Sequence, residues 1–403
     1  MKKILAALLL AFILSALFTG CGGGKGPYAK VQVKLDEITI ISQEKHELLF
    51  RFEVMRSDYK LYGYLDENGN VVIAPVLRLA EDFKDGLAVV GIGENKNNNY
   101  INMQGELLFE KSKYLCYPFN GGSAVIYDTA EDQYSIIDNT GKFIKTFLKS
   151  TKMDTEFSDG LLKGTDKDNA TFFVDAKGAT ACSLGKDISA VGRFNDGLVA
   201  TSSDGETIVY YNKKGTAMFK SLTFDRCKEI ESEADDMTPY SFTDGFARIF
   251  KAGEVNGRWG LIDTAGNITV PIYYQGYPII YSGRVFSETG TKYIRIFNNT
   301  TGDAMFDLSS GKITQFGGFY GGIAKITSVT GEVSFIDREN NEIPQDQLPL
   351  FAAIRIHIDG NYYYAEPEKG VLVFLENDEE LFRFDAKNVD SLIKKIPMKD
   401  FKK

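Results

Sequence analysis

The sequence predicts an all-β fold built from many short antiparallel strands. Three observations predict it: the composition, a pair of turns that recurs along the chain, and short apolar runs between those turns. The 403 residues include 39 Gly, 29 Phe and 21 Tyr but only 2 His and 1 Trp. Glycine suits tight turns and aromatic residues favour strands. A formal charge of -9 leaves no broad basic surface, so nucleic acid is excluded as a partner.

The chain begins with the pattern of an export signal. Basic residues, Lys2 and Lys3, precede an apolar run from Ile4 to Phe18 that contains a single Ser15. The run is about 15 residues long, whereas a membrane-spanning helix needs roughly 20. Small residues follow it, as they do at a cleavage site. We therefore expect residues 1–20 to be a signal peptide and disfavour a membrane-spanning anchor.

The segment Phe18-Thr19-Gly20-Cys21 resembles the bacterial lipobox, although Phe18 occupies a position where Leu is usual. The resemblance implies that Cys21 becomes the first residue and carries lipid, which makes the membrane a partner. Residues 21–30 would then be a flexible, glycine-rich linker. The implied location is the cell membrane or outer membrane, with the protein facing the periplasm or the exterior.

Two turns recur about every 37 residues, which marks a repeat architecture. The first has the form Asp-x-x-Gly and the second has an aromatic residue shortly before a glycine. First turns occupy 66–69, 102–105, 138–141, 175–178, 212–215, 263–266, 298–302 and 337–341, and second-turn glycines are residues 86, 122, 160, 197, 245, 283 and 322. The aspartate accepts backbone hydrogen bonds and the glycine closes a left-handed bulge. We interpret these aspartates as structural and the aromatic residues as core anchors.

One interval is about ten residues longer than the others and contains an acidic insertion at 228–237. The insertion lacks the glycine-pinned loop of a calcium site, so we interpret it as a solvated loop. Its acidic residues are Glu229, Glu231, Glu233, Asp235 and Asp236. Three cysteines remain after Cys21, with no metal-ligand spacing. Cys116, Cys182 and Cys227 fit either one disulfide plus a free thiol or three separate buried thiols.

The segment Arg258-Trp259-Gly260-Leu261-Ile262-Asp263, which continues through Gly266 to Pro271, resembles the bacterial WG-repeat family. Residues 62–88 match almost as well, with Tyr62 in the Trp position. The remaining units keep the two turns and lose the Trp-Gly pair. The resemblance covers approximately residues 45–385 and brings no catalytic residue with it.

Four strands of about five residues and four turns of about four fill one repeat, which predicts a four-stranded antiparallel blade. We expect a β-propeller of about seven to eight blades over residues 31–385, and a linear β-repeat array is the alternative. The segment Val31–Ile40 is available as a closing strand. After about eight units, Asn361–Asp385 forms a strand-like remainder, and residues 386–403 predict a short helix with a solvated end.

The sequence contains no recognisable catalytic constellation. Its two imidazoles, His46 and His357, are far apart along the chain, and no nucleophile elbow or phosphate loop accompanies them. We therefore assign no catalytic, cofactor-binding or metal-binding residue, and Cys21 is the one site residue. The expected function is noncatalytic binding or scaffolding of an envelope or extracellular protein, peptide or glycan. The alternatives are a carbohydrate hydrolase with carboxylates in a propeller channel and a structural envelope component.

The lipid assignment predicts the behaviour of the Cys21→Ser variant. Without the thiol no thioether to diacylglycerol forms, so the variant incorporates no labelled palmitate and no longer partitions with the membrane through acyl chains. Metabolic labelling followed by membrane fractionation measures both effects. Unchanged retention and labelling in the variant would contradict lipidation at Cys21.

Overall fold

The computed structural model describes residues 28, 30–92, 98–188, 190–203, 207–220, 241–251, 258–274, 278–281, 284–288, 294–298, 304–307, 313–320, 322–377 and 379–401. These residues form nine small sheets of three or four strands, and every strand pairing is antiparallel. The all-β fold class and its blade-like sheets are therefore confirmed. Within the described ranges no helix is long and apolar enough to cross a membrane.

The strands follow one another along the chain, and each sheet takes them in sequence order. The first sheet contains β1 (Phe50–Arg56), β2 (Tyr59–Leu65) and β3 (Val71–Leu77), and the second contains β4 (Leu79–Ala80), β5 (Leu87–Gly91) and β6 (Asn98–Asn102). The third sheet contains β7 (Tyr114–Cys116), β8 (Ser123–Asp128), β9 (Gln133–Asp138) and β10 (Phe143–Thr146). The fourth contains β11 (Lys152–Met153), β12 (Leu161–Thr165), β13 (Thr171–Asp175) and β14 (Thr180–Gly185). The fifth contains β15 (Ala190–Val191), β16 (Leu198–Ser202), β17 (Val209–Asn212) and β18 (Ala217–Lys220).

The sixth and seventh sheets contain β19 (Phe242–Thr243), β20 (Phe246–Lys251), β21 (Arg258–Asp263), β22 (Ile268–Tyr274); β23 (Pro278–Tyr281), β24 (Arg284–Glu288), β25 (Ile294–Asn298), β26 (Ala304–Asp307). The eighth and ninth contain β27 (Ile313–Tyr320), β28 (Ile323–Ser328), β29 (Val333–Ile336); β30 (Ile356–Asp359), β31 (Tyr362–Glu368), β32 (Val371–Glu376), β33 (Glu379–Asp385). The ninth sheet is formed by the strand-like remainder recognised in the sequence.

In the four-stranded third to seventh sheets, the recurring turns have a fixed place. The second turn joins the first two strands, as Phe157–Gly160 does between β11 and β12, and the first turn joins the last two, as Asp138–Gly141 does between β9 and β10. The first sheet gains a partner from the N-terminal segment, where the Asp36 amide donates to the Val76 carbonyl at 2.9 Å. The proposed closing segment thus lies beside β3.

The chain divides into two compact units, residues 1–112 with 354–403 and residues 113–353. In the first unit, the first and last sheets share one core. The Phe50 ring lies 5.1 Å from Phe374, and the Phe52 ring lies 4.7 Å from Phe384, measured between centroids. Strands from the two ends of the described chain therefore pack together within this unit.

The second unit is held by aromatic contacts between successive sheets. Phe173 of the fourth sheet lies 4.6 Å from Phe194, and Tyr210 of the fifth lies 5.2 Å from Phe242, in both cases edge-on. Phe194 and Phe242 belong to second turns. The second-turn aromatic residues that are buried in this unit are Phe119, Phe157, Phe194 and Phe242. The interpretation of these aromatic residues as core anchors is confirmed.

The C-terminal segment packs onto the first sheet. It consists of a 3-10 helix (Ala386–Val389), an α-helix (Asp390–Ile393) and a second 3-10 helix (Met398–Phe401), while a separate 3-10 helix spans Gln345–Gln347. The Tyr59 hydroxyl donates to the Phe401 carbonyl at 2.5 Å, and Phe401 itself is buried. The expectation of a solvated end is wrong as far as Phe401, because its ring and the helical apolar face cover the first sheet.

Candidate functional site

The first turns use their acidic side chains to hold their own backbone. At Asp263, Oδ1 accepts hydrogen bonds from the amides of Ala265 and Asn267, each at 2.9 Å. Asn212 makes the same pair of contacts, so the geometry needs an oxygen acceptor and not a charge. Asp166 adopts this geometry as well, although the sequence pattern did not single it out. The interpretation of the recurring aspartates as structural is confirmed.

Three of these turns, at Asp138, Asp263 and Asp337, lower the pKa of their carboxyl. The Asn341 side chain and backbone amide donate to Asp337 and lower the pKa of its carboxyl, and the Thr140 hydroxyl does the same for Asp138. In the described part of the chain, every carboxyl whose pKa departs from its ordinary value has a lowered pKa. These carboxyls belong to Asp128, Asp138, Asp263, Asp337 and Glu380. A general acid requires a shift in the opposite direction.

The second turns are tight two-residue hairpins. Asp159 and Gly160 have φ values of 53° and 77°, and the backbone groups of Ser158 and Leu161 exchange two hydrogen bonds of 2.9 and 3.0 Å. Two successive positive φ values define a type I′ turn, for which Asp-Gly is a preferred pair. The same left-handed pair recurs at 85–86, 196–197 and 244–245. The Asp-Gly pairs in the sequence are a signal for the type I′ turn, and the repeat pattern alone did not predict that turn type.

Neighbouring second turns are joined by hydrogen bonds between sheets. The Gly197 amide donates to Asp159 Oδ2 at 2.7 Å, and the Gly245 amide donates to Asp196 Oδ2 at 2.9 Å. Each bond connects a turn with the corresponding turn of the next sheet. We call residues 157–160, 194–197 and 242–245 the turn row, and Asp159, Asp196 and Asp244 are exposed along it.

Ion pairs extend the turn row at its surface. Lys213 Nζ lies 2.8 Å from Asp159 Oδ1. Next to the row, Arg193 Nε lies 3.1 Å from Asp154 Oδ2, and Arg193 Nη1 lies 3.8 Å from Glu156 Oε2. The row therefore presents charged side chains on a backbone fixed by turn-to-turn hydrogen bonds. Such a surface can recognise a partner without a large ordering cost on binding.

The Trp259-Gly260 pair and its counterpart Tyr62-Gly63 have a packing role in the two repeats that resemble the WG-repeat family. Trp259 is buried, and a Cβ added to Gly260 would lie 2.6 Å from the Val270 carbonyl oxygen. A Cβ on Gly63 would lie at the same distance from the Ile73 oxygen. The last strand of each sheet returns against this position through a register shift, so only glycine fits.

The remaining sequence-predicted positions are dispersed. Cys21, the acidic insertion at 228–237 and Cys227 lie outside the described residues. Cys116 and Cys182 are buried, and burial raises the pKa of Cys182. Within the described ranges no group of His, Cys, Asp and Glu side chains could hold a metal ion.

The two imidazoles lie in different surroundings. His46 is buried, with Nδ1 3.9 Å from Glu67 Oε2. His357 is exposed, with Nε2 3.0 Å from the Gly360 carbonyl oxygen and its ring edge-on to Tyr363. Glu67 belongs to the first turn at 66–69. Gly360 and Tyr363 belong to the ninth sheet and the turn between its first two strands.

A shallow groove with a mixed polar and apolar lining lies beside β29 and the segment that follows it, and its polar lining includes Glu332, Glu342 and Gln345. Its apolar lining includes Phe335, Pro344, Leu348, Pro349 and Phe351. The groove adds a second surface to the turn row in the unit that contains residues 113–353.

The WG containing repeat family model matches residues 62–95 and 259–286. This match confirms the resemblance at the two units that the Trp-Gly pattern indicated. Each matched segment contains the last two strands of one sheet and the first two of the next, namely β2–β5 and β21–β24. The boundaries of the sequence repeat therefore differ from those of the sheets, and each matched repeat spans two neighbouring sheets. No curated protein sequence matches this chain.

Several solved structures resemble the chain at low sequence identity. A eukaryotic initiation factor has a TM-score of 0.46 at 11% identity, over 84% of this chain and 96% of that one. BamB from Moraxella catarrhalis has a TM-score of 0.37 at 14% identity, over 82% and 98% of the two chains. Sqt1 from Saccharomyces cerevisiae has a TM-score of 0.33 at 11% identity, over 88% and 97%.

Substitutions at Asp196 separate the turn's backbone requirement from its side-chain bond. Asp196→Asn keeps an acceptor for the Gly245 amide and changes the free energy of unfolding by less than about 0.5 kcal/mol. Asp196→Ala loses the bond and places alanine in a left-handed conformation, which costs about 1–2 kcal/mol. Asp196→Gly loses only the bond and falls between the two. Denaturant unfolding monitored by circular dichroism measures all three, and equal stability of the Gly and Asn variants would contradict the inter-sheet bond.

Proposed function

We propose that the chain is an exported, lipid-anchored protein that acts as a noncatalytic binding or scaffold module at the cell envelope. Its partner is an envelope or extracellular protein, peptide or glycan. The observation that carries this proposal is the turn row, where the repeated polar groups hold neighbouring turns together and present a fixed, charged surface. Rigid elements that display exposed loops are a common basis for recognition.

The start of the folded domain supports the anchored arrangement. Lys395 Nζ donates to the carbonyl oxygens of Tyr28 and Val31 at 2.7 and 2.6 Å, which ties the chain to the C-terminal segment. Only seven peptide units separate Cys21 from Tyr28, and a chain of that length spans at most about 25 Å. Lipid on Cys21 would therefore hold the domain close to the membrane surface.

Capture from intact cells tests the binding function. The full-length protein is crosslinked in the native envelope and recovered, and retained partners are compared with those of Glu156→Arg, a charge reversal beside the turn row. Glu339→Arg, an exposed reversal away from the row, is the matched control. We expect the turn-row variant to retain about fivefold less of its partner, as expected for loss of favourable interface charge, and the control to retain it fully. Recovery of no partner, together with cleavage of a panel of glycosides, would contradict the noncatalytic assignment.

A further inference from the structure

The segment 142–152 carries a local charge opposite to that of the protein. It contains Lys142, Lys145, Lys149 and Lys152 and no acidic residue, in a chain whose formal charge is -9. Two carboxylates contact it from neighbouring positions. Asp138 lies in the turn that precedes it, and Glu131 Oε2 lies 3.3 Å from Lys149 Nζ. The segment stays positive after these two charges are included.

Apolar side chains lie exposed among these lysines. Leu148 is 79% exposed, and Phe143 and Ile144 are 44% and 36% exposed. All four residues of β10 are exposed, and β10 is the edge strand of the third sheet. Phe143 and Ile144 lie on β10, and Leu148 lies two residues after its end. Exposed apolar residues that cluster in this way cost solvation free energy and mark an interaction site more often than isolated ones do.

The strand itself is firmly held. Thr146 pairs with Ser135, and their hydroxyl oxygens lie 3.0 Å apart. Phe147 is buried, and its amide donates to the Tyr134 carbonyl at 2.9 Å. The β10 backbone is therefore a fixed template on one side, with its other side at the sheet edge.

The chemistry of this edge selects its partner. An edge strand can pair with any extended chain, but lysines on the edge oppose pairing with a second copy that carries the same charges. An extended segment with acidic residues would neutralise Lys142, Lys145 and Lys149 while its apolar residues cover Phe143 and Leu148. We propose that β10 binds an extended acidic segment of a partner polypeptide as an added strand. This proposal deepens the binding function proposed above and rests on it for the partner being a polypeptide.

A peptide titration against the purified mature chain tests strand addition. The probe is a short fluorescent peptide of alternating Glu and Val, and its control replaces every Glu by Lys. We expect saturable binding of the acidic peptide alone, which weakens with added salt. Lys142→Glu/Lys145→Glu/Lys149→Glu lowers the affinity at least about tenfold, whereas the control Lys186→Glu/Lys214→Glu/Lys369→Glu, at exposed lysines outside the segment 142–152, leaves it within about twofold.

Backbone methylation of the probe distinguishes an added strand from charge attraction alone. Two versions of the acidic peptide carry N-methyl groups at alternate residues in opposite registers. Strand addition requires that one version loses binding and the other keeps it, because only one edge of the peptide faces β10. Equal binding of both versions, or equal effects of the two triple variants, would overturn the proposal.

Vesicles provide the remaining comparison. Binding to phosphatidylglycerol vesicles that depends on Lys142, Lys145 and Lys149, with no binding of the acidic peptide, would assign the surface to anionic lipid and overturn strand addition. Retention of envelope partners by the Lys142→Glu/Lys145→Glu/Lys149→Glu variant, together with failure of the peptide to bind, would reject the β10 site and leave the proposed binding function intact.

Discussion

The hydrogen bond from the Gly197 amide to the Asp159 carboxylate, repeated from Gly245 to Asp196, is the interaction on which the described fold depends most directly. A three- or four-stranded sheet cannot bury both of its faces, so each sheet needs a neighbour held in register. In the fourth to sixth sheets, the aromatic residue of the second turn supplies the apolar contact, and the carboxylates of Asp159 and Asp196 fix the next turn beside their own. Packing and polar bonding thus act at the same point of these sheets.

Much of this arrangement could be predicted from the sequence because the constraint repeats. Turn chemistry requires a side-chain acceptor and a left-handed residue at set positions, and Asp263 with Gly266 meets both needs in a readable pattern. The sequence did not predict that each repeat begins in one sheet and ends in the next. This placement depends on which strands pair, and the Trp-Gly unit from β21 to β24 contributes to two sheets.

Contacts between distant parts of the chain were harder to predict. Helical spacing indicated an apolar face in the C-terminal segment, but only the folded structure shows that Phe401 covers the first sheet against Tyr59. The surface was harder still, since no local rule states which side chains stay uncovered. The exposed Leu148 and the buried Phe147 are adjacent in sequence just after β10, and the hydrogen bond from the Phe147 amide to the Tyr134 carbonyl is a contact that no local pattern predicts. Residues that serve the repeat are therefore predictable, whereas residues that serve a partner emerge from the assembled fold.

The central claim is that the repeated carboxylates act as links between sheets and leave recognition to the surfaces they hold. Residue-resolved hydrogen exchange at the Gly197 and Gly245 amides measures this link directly. Both amides belong to exposed turns, yet both donate to carboxylates of the preceding turn. Protection of both amides well beyond that of an exposed turn is the predicted result. Exchange at the rate of an unprotected amide, in a protein that is otherwise folded, would contradict the account.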